Sequence, residues 1–383
     1  MRVLLDARIL MPRMTGAGRY VFELAKCLPV VAPDLDLHVL LLPSMSVTGI
    51  PPALAQVGGT LHYCDIPLRS LRHWAVVPRV VDRIKPDLYH SPYLAVPSVR
   101  CPSVLTLYDL NPVLLSDYYD HLSALKRWIA RTLLRRAIKR CSLVLAISET
   151  IRVLTEAEFP GAHGKVRTVH LGVDRQLWQG MIETNPQGTR HSSGSAPRPY
   201  VLYVGVDRPH KNLIRLVRAF ARFRATHGWL KGTGPYLWLL GVGSGSQDLR
   251  AAVLANGLSD DALLSGSVDD GFLAGAYRSA GLVAYVSTSE GFGLPLLEAF
   301  AAKVPVVASD AGSLPEVGGD AVLYVPPTDE GQVADALSRV WHDETLRRAL
   351  VARGLERVAG FSWEATARAT ATAYREVLKV EHE

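Results

Sequence analysis

Short apolar runs of strand length alternate with helical patterns along almost the whole of this 383-residue chain. That alternation predicts parallel β-sheets with helices on both faces, because neighbouring parallel strands must be joined by long crossover connections. In the first half, the predicted strands are residues 2–7, 37–42, 88–90, 103–107 and 143–146. In the second half, they are residues 200–204, 236–240, 262–264, 282–285 and 306–308.

The alternation is interrupted near residues 183–198 by a polar stretch that is rich in Gly, Ser and Pro. Such composition is typical of a linker or a mobile loop. The sequence therefore predicts two Rossmann-like α/β domains of similar size, residues 1–182 and 199–362. Ligands of open α/β sheets bind beyond the carboxyl ends of the strands, so we expect the site in a cleft between the domains.

Composition argues against several classes of protein. The formal net charge of +6 is mildly basic, but no nucleic-acid-binding motif and no interleaving of aromatic and basic residues is present. No apolar stretch reaches transmembrane length. The four cysteines form no CxxC pair, which argues against a zinc site or a disulfide scaffold. The first residues read as a core strand and not as a signal peptide, so we expect a cytoplasmic protein.

Two acidic residues flank a predicted strand–helix corner within residues 287–300. Glu290 and Glu298 are eight residues apart, close to two helical repeats, so they can project from the same side. The backbone N–H groups between them suit a phosphate at a helix N-terminus; they belong to Gly291, Phe292, Gly293 and Leu294. This order of acid, amides and acid fits a nucleotide sugar. The alternative is a pair of solvated surface acids.

Glycine-rich and cationic loops follow other predicted strands. Gly16 and Gly18 precede a predicted helix after the first strand, and Gly243 follows a strand of the second domain. They allow a backbone to approach a ligand closely, although a plain turn also explains them. The loop after residue 204 carries three side chains that would meet a diphosphate or remain solvated: Arg208, His210 and Lys211.

Two strand ends of the first domain carry polar side chains. His90 is the last residue of the third predicted strand, where it would line the acceptor side or serve a structural role. Tyr108 and Asp109 follow the fourth. Asp109 would act as a base, bind an acceptor hydroxyl or cap a helix.

Residues 124–141 combine seven Lys and Arg residues with six large apolar ones at helical spacing. One interpretation is a basic amphipathic helix that lies on an anionic membrane, at the inner face of the cell membrane. The other is a core-packed helix with a solvated basic face.

Together these motifs resemble the family 4 retaining glycosyltransferases, which have the GT-B fold of two facing Rossmann-like domains. The resemblance covers nearly the whole chain. Its most specific part combines the E-x7-E corner with the lysine loop. Further matches are the loop at 16–20, the position of an HDL motif at 108–110, and residues 147–149, 171–174, 313–317 and 361–363.

The resemblance implies a role for each site residue. Lys211 and the neighbouring cations would hold the donor diphosphate, and Glu298 the ribose hydroxyls. Glu290 and the amides of residues 291–294 would hold the transferred sugar, and Gly16 and Gly18 would close over the phosphates. The last helix, within residues 363–383, would cross back to the first domain. No metal or other cofactor is expected.

Two residues depart from the family pattern. Tyr108 stands where the family commonly has His, and a phenol cannot become cationic near neutral pH. His210 stands where the family commonly has Arg, which weakens the fixed positive charge around the phosphates. Arg208 would compensate for that loss.

The main hypothesis is retaining transfer of a hexose from a nucleoside-diphosphate sugar to a saccharide or a lipid-linked acceptor. On family resemblance alone, GDP-mannose is the favoured donor. One alternative is a non-hydrolysing sugar-nucleotide epimerase of the same fold. The other is a non-catalytic protein that binds nucleotide sugars.

Overall fold

A computed structural model of the chain describes residues 1–11, 15–48, 50–94, 96–115, 123–180, 198–243 and 246–380. It divides into two compact units. The first comprises Met1–Gly172 together with Phe361–Glu383, and the second comprises Val173–Gly360. Each unit contains one parallel sheet whose strands alternate with helices, which confirms the predicted fold class.

The first unit contains a seven-stranded sheet in the order β3-β2-β1-β4-β5-β6-β7, with every pairing parallel. Its strands are β1 (Arg2–Asp6), β2 (Asp36–Leu41), β3 (Thr60–Tyr63), β4 (Leu88–Ser91), β5 (Ser103–Leu107), β6 (Leu143–Ala146) and β7 (Val166–Thr168). Its helices are α1 (Gly16–Val31), α2 (Ile50–Gln56), α3 (His73–Ile84), α4 (Asn111–Leu114), α5 (Ser123–Arg140) and α6 (Glu149–Glu158).

The second unit contains a six-stranded sheet in the order β10-β9-β8-β11-β12-β13, again parallel throughout. Its strands are β8 (Tyr200–Val204), β9 (Tyr236–Leu240), β10 (Ala262–Ser265), β11 (Leu282–Tyr285), β12 (Val306–Ser309) and β13 (Val322–Val325). Its helices are α7 (Arg175–Gln179), α8 (Leu213–Thr226), α9 (Gln247–Ala255), α10 (Asp270–Arg278), α11 (Leu294–Ala301), α12 (Leu314–Gly318), α13 (Glu330–His342) and α14 (Glu344–Val358).

The central strands form because their apolar residues can be buried on both faces of a parallel sheet. Every residue of β5, β6, β9 and β11 is buried. Side-chain caps define where several helices begin. Ser148 caps α6, and Asp269, Asp329 and Asp343 cap α10, α13 and α14 by accepting a backbone N–H of the first turn.

The last helix, α15 (Trp363–Val380), belongs to the first unit, where it packs against α1. Its start runs so close to Gly172 that a Cβ added there would lie 2.2 Å from the backbone nitrogen of Trp363. Only glycine allows that approach. Thr366 then donates a hydrogen bond to the carbonyl of His170 at 2.8 Å, which secures the first turn of the helix to the same segment.

The boundary between the units lies ten residues before the predicted one. Helix α7 falls in the second unit because it packs against α10 and α11, and Asp174 caps it. Most of the predicted linker, residues 183–197, lies outside the described residues. Its last residue, Arg198, is fixed in the second unit through an ion pair with Asp261 at 2.6 Å.

Candidate active site

In the second unit, the strand order reverses between β8 and β11, which are adjacent although three helices and two strands separate them in sequence. At such a switch point, the loops beyond the carboxyl ends of the two strands diverge and leave a crevice for ligands. The loop after β8 carries Lys211, and the loop after β11 carries Glu290. The topology therefore places the two most specific predicted motifs side by side.

The lysine loop is a 3-10 turn, Pro209–Lys211, that is hydrogen-bonded to the end of β11. The Asn212 side-chain amide donates to the carbonyls of Val286 at 2.9 Å and Pro327 at 2.7 Å. The backbone N–H of Thr288 donates to the carbonyl of His210 at 2.7 Å. These bonds fix the position of Lys211 relative to the loop that carries Glu290.

Lys211, Glu290 and Tyr285 form one polar cluster. The Nζ atom of Lys211 lies 2.7 Å from Oε1 and 2.9 Å from Oε2 of Glu290, and it donates to the Tyr285 hydroxyl at 3.0 Å. The side chains of Lys211 and Glu290 are 14% and 9% exposed. This ion pair is mostly shielded from water, so each charge depends strongly on a partner.

Tyr285 lies close to both acids of the E-x7-E motif. Burial raises the pKa of this phenol well above its usual value, and the charges of Glu290 and Glu298 raise it further. The hydroxyl therefore stays protonated, accepts from Lys211 and donates to Glu290. Its ring stacks on Tyr203 with the centroids 5.7 Å apart. One neutral phenol thus hydrogen-bonds to both Lys211 and Glu290 and lies within the electrostatic influence of Glu298.

The backbone of the corner is held by the loop that carries Gly312 and Ser313. The Ser313 hydroxyl donates to the carbonyls of Glu290 at 3.0 Å and Phe292 at 2.8 Å. Gly312 has φ +60, and a Cβ there would lie 2.7 Å from the backbone of Glu290. A small residue followed by a hydroxyl is the only sequence signal of this role.

Glu298 lies in α11, on the helix that the corner opens. Its Oε2 accepts a hydrogen bond from the Tyr277 hydroxyl at 2.8 Å. Gly293, with φ +110, is the N-cap of α11, and no side chain caps the helix there. Pro295 lies in the first turn, where its missing N–H costs no helical bond. The first turn therefore begins at a backbone corner, as the phosphate prediction requires.

The remaining predicted donor residues of this unit occupy different environments. His210 is buried, Arg208 is exposed in the same loop, and Gly243 follows β9 with open space where a Cβ would stand. Close packing therefore does not explain why Gly243 is a glycine.

In the first unit, the glycine loop forms the start of α1. Gly16 is the first helical residue and is exposed, whereas Gly18 is buried. The Thr15 hydroxyl caps the helix by accepting the N–H of Gly18 at 3.1 Å. This cap was not predicted from the sequence, although Thr15 stands directly before the helix, where an N-cap residue is expected.

The interpretation of His90 as an acceptor-side residue is wrong. His90 is 0% exposed, and its ring nitrogens lie 2.6 Å from the Tyr374 hydroxyl and 2.7 Å from the Thr106 hydroxyl. Burial lowers the pKa of the imidazole to about 3, so it remains neutral. Its role is to connect β4 and β5 to α15.

Tyr108 and Asp109 lie at the end of β5. Burial raises the pKa of Tyr108 well above its usual value, and its ring packs edge-on against Tyr20 at 5.6 Å. Among the described residues, its hydroxyl has no hydrogen-bond partner. The Asp109 carboxylate accepts the N–H of Asn111, the first residue of α4, at 2.9 Å, but the N-cap position is Leu110 and no side chain caps the helix there. Whether either side chain takes part in the reaction stays a prediction.

Comparison with protein families accounts for both halves of the chain. Residues 14–177 match the model described as Glycosyltransferase Family 4, and residues 189–357 match the model described as Glycosyl transferases group 1. A similar curated protein is the O-antigen chain mannosyltransferase B of Escherichia coli. It is 26% identical over 94% of this chain and 96% of its own length. These matches favour a transferase over both alternatives.

Solved structures show the same fold at low sequence identity. Sucrose-phosphate synthase from Thermosynechococcus elongatus aligns over 99% of both chains, with 21% identity and a TM-score of 0.77. HepE from Anabaena, in complex with UDP and glucose, aligns over 98% of this chain and 100% of its own, with 21% identity and a TM-score of 0.74. The two family models, the shared fold and the lysine–glutamate cluster agree with one another. The chain belongs to the family 4 glycosyltransferases and has the GT-B fold.

Proposed function

We propose that this enzyme transfers a hexose, with retention of anomeric configuration, from a nucleoside-diphosphate sugar to a saccharide or lipid-linked acceptor. GDP-mannose is the favoured donor, with mannose as the transferred sugar. The similarity to the mannosyltransferase named above supports mannose as the transferred sugar. Because HepE was solved in complex with UDP and glucose, a UDP-sugar is the donor to compare with GDP-mannose.

The cluster of Lys211, Tyr285 and Glu290 is the observation that carries the proposal. An ammonium group has three donors, and here three oxygens lie within hydrogen-bond distance of Nζ. A diphosphate that binds Lys211 must therefore replace at least one of them. If Lys211 turns from Glu290 to the phosphate, the Glu290 carboxylate can accept hydrogen bonds from the hydroxyls of the transferred sugar. Donor binding would thus exchange one ion pair for two ligand contacts.

The positions of Lys211 and of the N-terminus of α11 also suit the chemical step. When the bond between the sugar and the diphosphate breaks, negative charge develops on the leaving phosphate, where Lys211 and the N-terminus of α11 would stabilise it. The acceptor oxygen would bond to the same face of the sugar, and its proton would pass to the leaving phosphate oxygen. A lysine and a helix end would supply the charge stabilisation that a metal ion provides elsewhere, so the proposed reaction needs no metal. Gly16 and Gly18 stay predicted phosphate contacts.

The direct test measures nucleoside diphosphate release from a panel of GDP- and UDP-sugars, with and without candidate acceptors and with EDTA. We expect acceptor-dependent release from one donor in EDTA, and an NMR coupling constant of the product that shows retention. Release that requires a divalent ion would overturn the metal-free mechanism. An inverted product would overturn retention, and no release from any donor would reject the catalytic proposal.

We also propose that α5 docks the enzyme on an anionic membrane. Leu125, Trp128 and Ile129 are 56%, 62% and 43% exposed, although a core-packed helix would bury them. The helix instead buries Leu134 and Ile138, which lie about half a turn away at 100° per residue. None of the described helices is long and apolar enough to cross a bilayer. An apolar ridge on a non-spanning helix fits insertion to the depth of the headgroups.

The charges of α5 support an anionic partner. In the first two turns, the exposed apolar residues lie beside the exposed Lys126, and four further cations are exposed toward the end of the helix: Arg135, Arg136, Lys139 and Arg140. Arg135, Lys139 and Lys165 also line a surface recess with a floor that includes Phe159. Cations near an anionic bilayer each contribute about 1 kcal/mol of attraction, so this half of the helix would hold the apolar half against the surface.

Co-sedimentation with vesicles tests the docking proposal. We expect binding to vesicles of anionic phospholipid, weakened by salt and absent with phosphatidylcholine alone. Leu125→Gln should reduce it severalfold, whereas the control Leu254→Gln, at a leucine of α9 that is 66% exposed, should not. Equal behaviour of the two variants, or no binding to anionic vesicles at low salt, would reject the proposal.

A further inference from the structure

Tyr277 is a fully buried residue of α10 whose hydroxyl reaches the second acid of the E-x7-E motif. It is 0% exposed and donates to Oε2 of Glu298 at 2.8 Å. Burial raises the pKa of the phenol well above its usual value, and the charge of Glu298 raises it further, so it is a permanent donor. A buried tyrosine that is hydrogen-bonded to a carboxylate keeps that carboxylate in one orientation.

We propose that Tyr277 is a positioning residue that sets the orientation of the Glu298 carboxylate toward the ribose of the donor. The inference rests on the proposed function together with the role that the family resemblance implies for Glu298, contact with the ribose hydroxyls. A carboxylate accepts about four hydrogen bonds in total. One bond to Tyr277 therefore orients the group while leaving acceptor capacity for a ligand.

The position of Tyr277 is fixed in turn by helix α7, which follows the family match at residues 171–174. No catalytic role is assigned to this segment. The ring of Trp178 meets that of Tyr277 edge-on, with centroids 5.3 Å apart and planes at 85°. Trp178 is 3% exposed and lies in α7, which packs on both α10 and α11. The Asp174 carboxylate caps α7 by accepting the N–H groups of Gln176 at 3.0 Å and Leu177 at 3.2 Å. The segment after residue 171 thus supports the ribose end of the site.

A preorganised carboxylate binds ribose without having to be ordered first, so loss of the tyrosine hydroxyl should weaken binding of nucleosides. We expect Tyr277→Phe to weaken binding of GDP or UDP, whichever the wild type prefers, by about tenfold, since hydrogen bonds to charged groups are the stronger ones. Inorganic pyrophosphate, which lacks a ribose, should bind the variant as it binds the wild type. A general disturbance of the fold would weaken both ligands.

A double-mutant cycle isolates the coupling. Calorimetry on the wild type, Tyr277→Phe, Glu298→Gln and the double variant should show that the tyrosine change has no further effect once Glu298 is altered. Tyr200→Phe is the matched control. Its buried hydroxyl donates to the carbonyl of Ala276 at 2.7 Å, so it loses an equivalent bond that no acid receives. That variant should bind the nucleotide normally.

Different results would reject the ribose assignment of Glu298 and the positioning role of Tyr277. If Glu298→Gln binds the nucleotide normally, the ribose assignment falls, and this inference falls with it. If Glu298→Gln weakens binding but Tyr277→Phe does not, or if the two effects add, the positioning role alone is rejected. Should Tyr277→Phe fail to fold, Trp178→Leu serves instead. It leaves the hydroxyl in place and should weaken nucleotide binding less, again only while Glu298 is present.

Discussion

The two units carry the same switch point in their strand order and use it in opposite ways. In the second unit, Lys211 and Glu290 stand beyond β8 and β11, where their side chains are still 14% and 9% exposed. In the first unit, β1 and β4 flank the corresponding reversal, and the charged pair at the end of β1, Asp6 with Arg8, has side chains that are 0% exposed. A charged residue at a strand end therefore does not by itself indicate a site. Burial and partners distinguish the two cases.

The buried pair of the first unit is satisfied within its own unit. The Arg8 guanidinium donates to both Asp6 oxygens and to the carbonyl of Ile66, and Nη2 lies 3.2 Å from Nδ1 of His73. The Tyr89 hydroxyl donates to Asp6 at 2.6 Å. Burial acts to raise the pKa of Asp6, but the charge and hydrogen bonds of Arg8 outweigh it and lower the pKa. This pair has the properties of a structural support.

The largest expected effect tests that structural reading. Arg8→Met leaves the Asp6 carboxylate buried without its cation, which should cost about 3–5 kcal/mol of unfolding free energy in urea. Arg100→Met is the control, because its 3.8 Å contact with Asp82 is a surface pair, and Arg100 is 89% exposed. Adding Asp6→Asn to Arg8→Met should recover part of the loss. A stable Arg8→Met enzyme with impaired nucleotide binding would instead place this pair in the active site.

The second prediction tests the chemical reading of the other pair. Lys211→Met should lower kcat/KM about 100-fold, because it removes the charge that stabilises the leaving diphosphate. The unfolding free energy should fall less than in Arg8→Met, because Glu290 keeps its hydrogen bond from Tyr285 and is 9% exposed, whereas Asp6 is 0% exposed. Lys231→Met removes an exposed lysine of the same unit and should leave activity unchanged. Full activity of Lys211→Met in a folded protein would contradict the proposed phosphate contact.

The third effect is the smallest when it is compared over a single pH unit, and it sharpens the comparison through pH. His90 titrates near pH 3 when folded and near 6.5 when unfolded, so below pH 6.5 only the unfolded chain binds this proton. Stability should therefore decrease as pH falls from about 6.5 toward 3, by up to about 1.4 kcal/mol per pH unit from this residue. For His90→Gln, we measure the unfolding free energy in urea at several pH values in that window. Its change with pH should be smaller than in the wild type, by the amount that corresponds to the uptake of one proton. Identical slopes would exclude a buried neutral imidazole.

The sequence predicted the central strands well because their signal is local. Strands β5, β6, β8, β9 and β11 have the predicted bounds. Three edge strands were missed: β3, β7 and β13. Thr60–Tyr63 has no fully buried residue, Val166–Thr168 has one, and Val322–Val325 has two. A strand with one solvated face and little length lacks an apolar run that can be recognised.

The candidate site was predictable in part for the same reason. Glu290 and Lys211 stand at strand–helix corners, and Glu298 lies in the helix that begins at the first of these corners. Glycines and a proline stand nearby, and such motifs can be read within a few residues. Ser313, Tyr285 and Tyr277 could not be found that way, because their roles depend on partners in other elements. His90 was misassigned because a strand end carries no information on whether a later helix covers it.

The sequence by itself determined the alternation of strands and helices, the family motifs and the residues that can carry charge to the corner. The tertiary structure decided which of those charges meet. Lys211 and Glu290 are 79 residues apart in the chain, and His90 and Tyr374 are 284 apart. Propensity and periodicity act over a few residues, whereas strand order brings such distant positions together. Only the folded sheets could therefore separate the buried structural pair from the pair poised for a ligand.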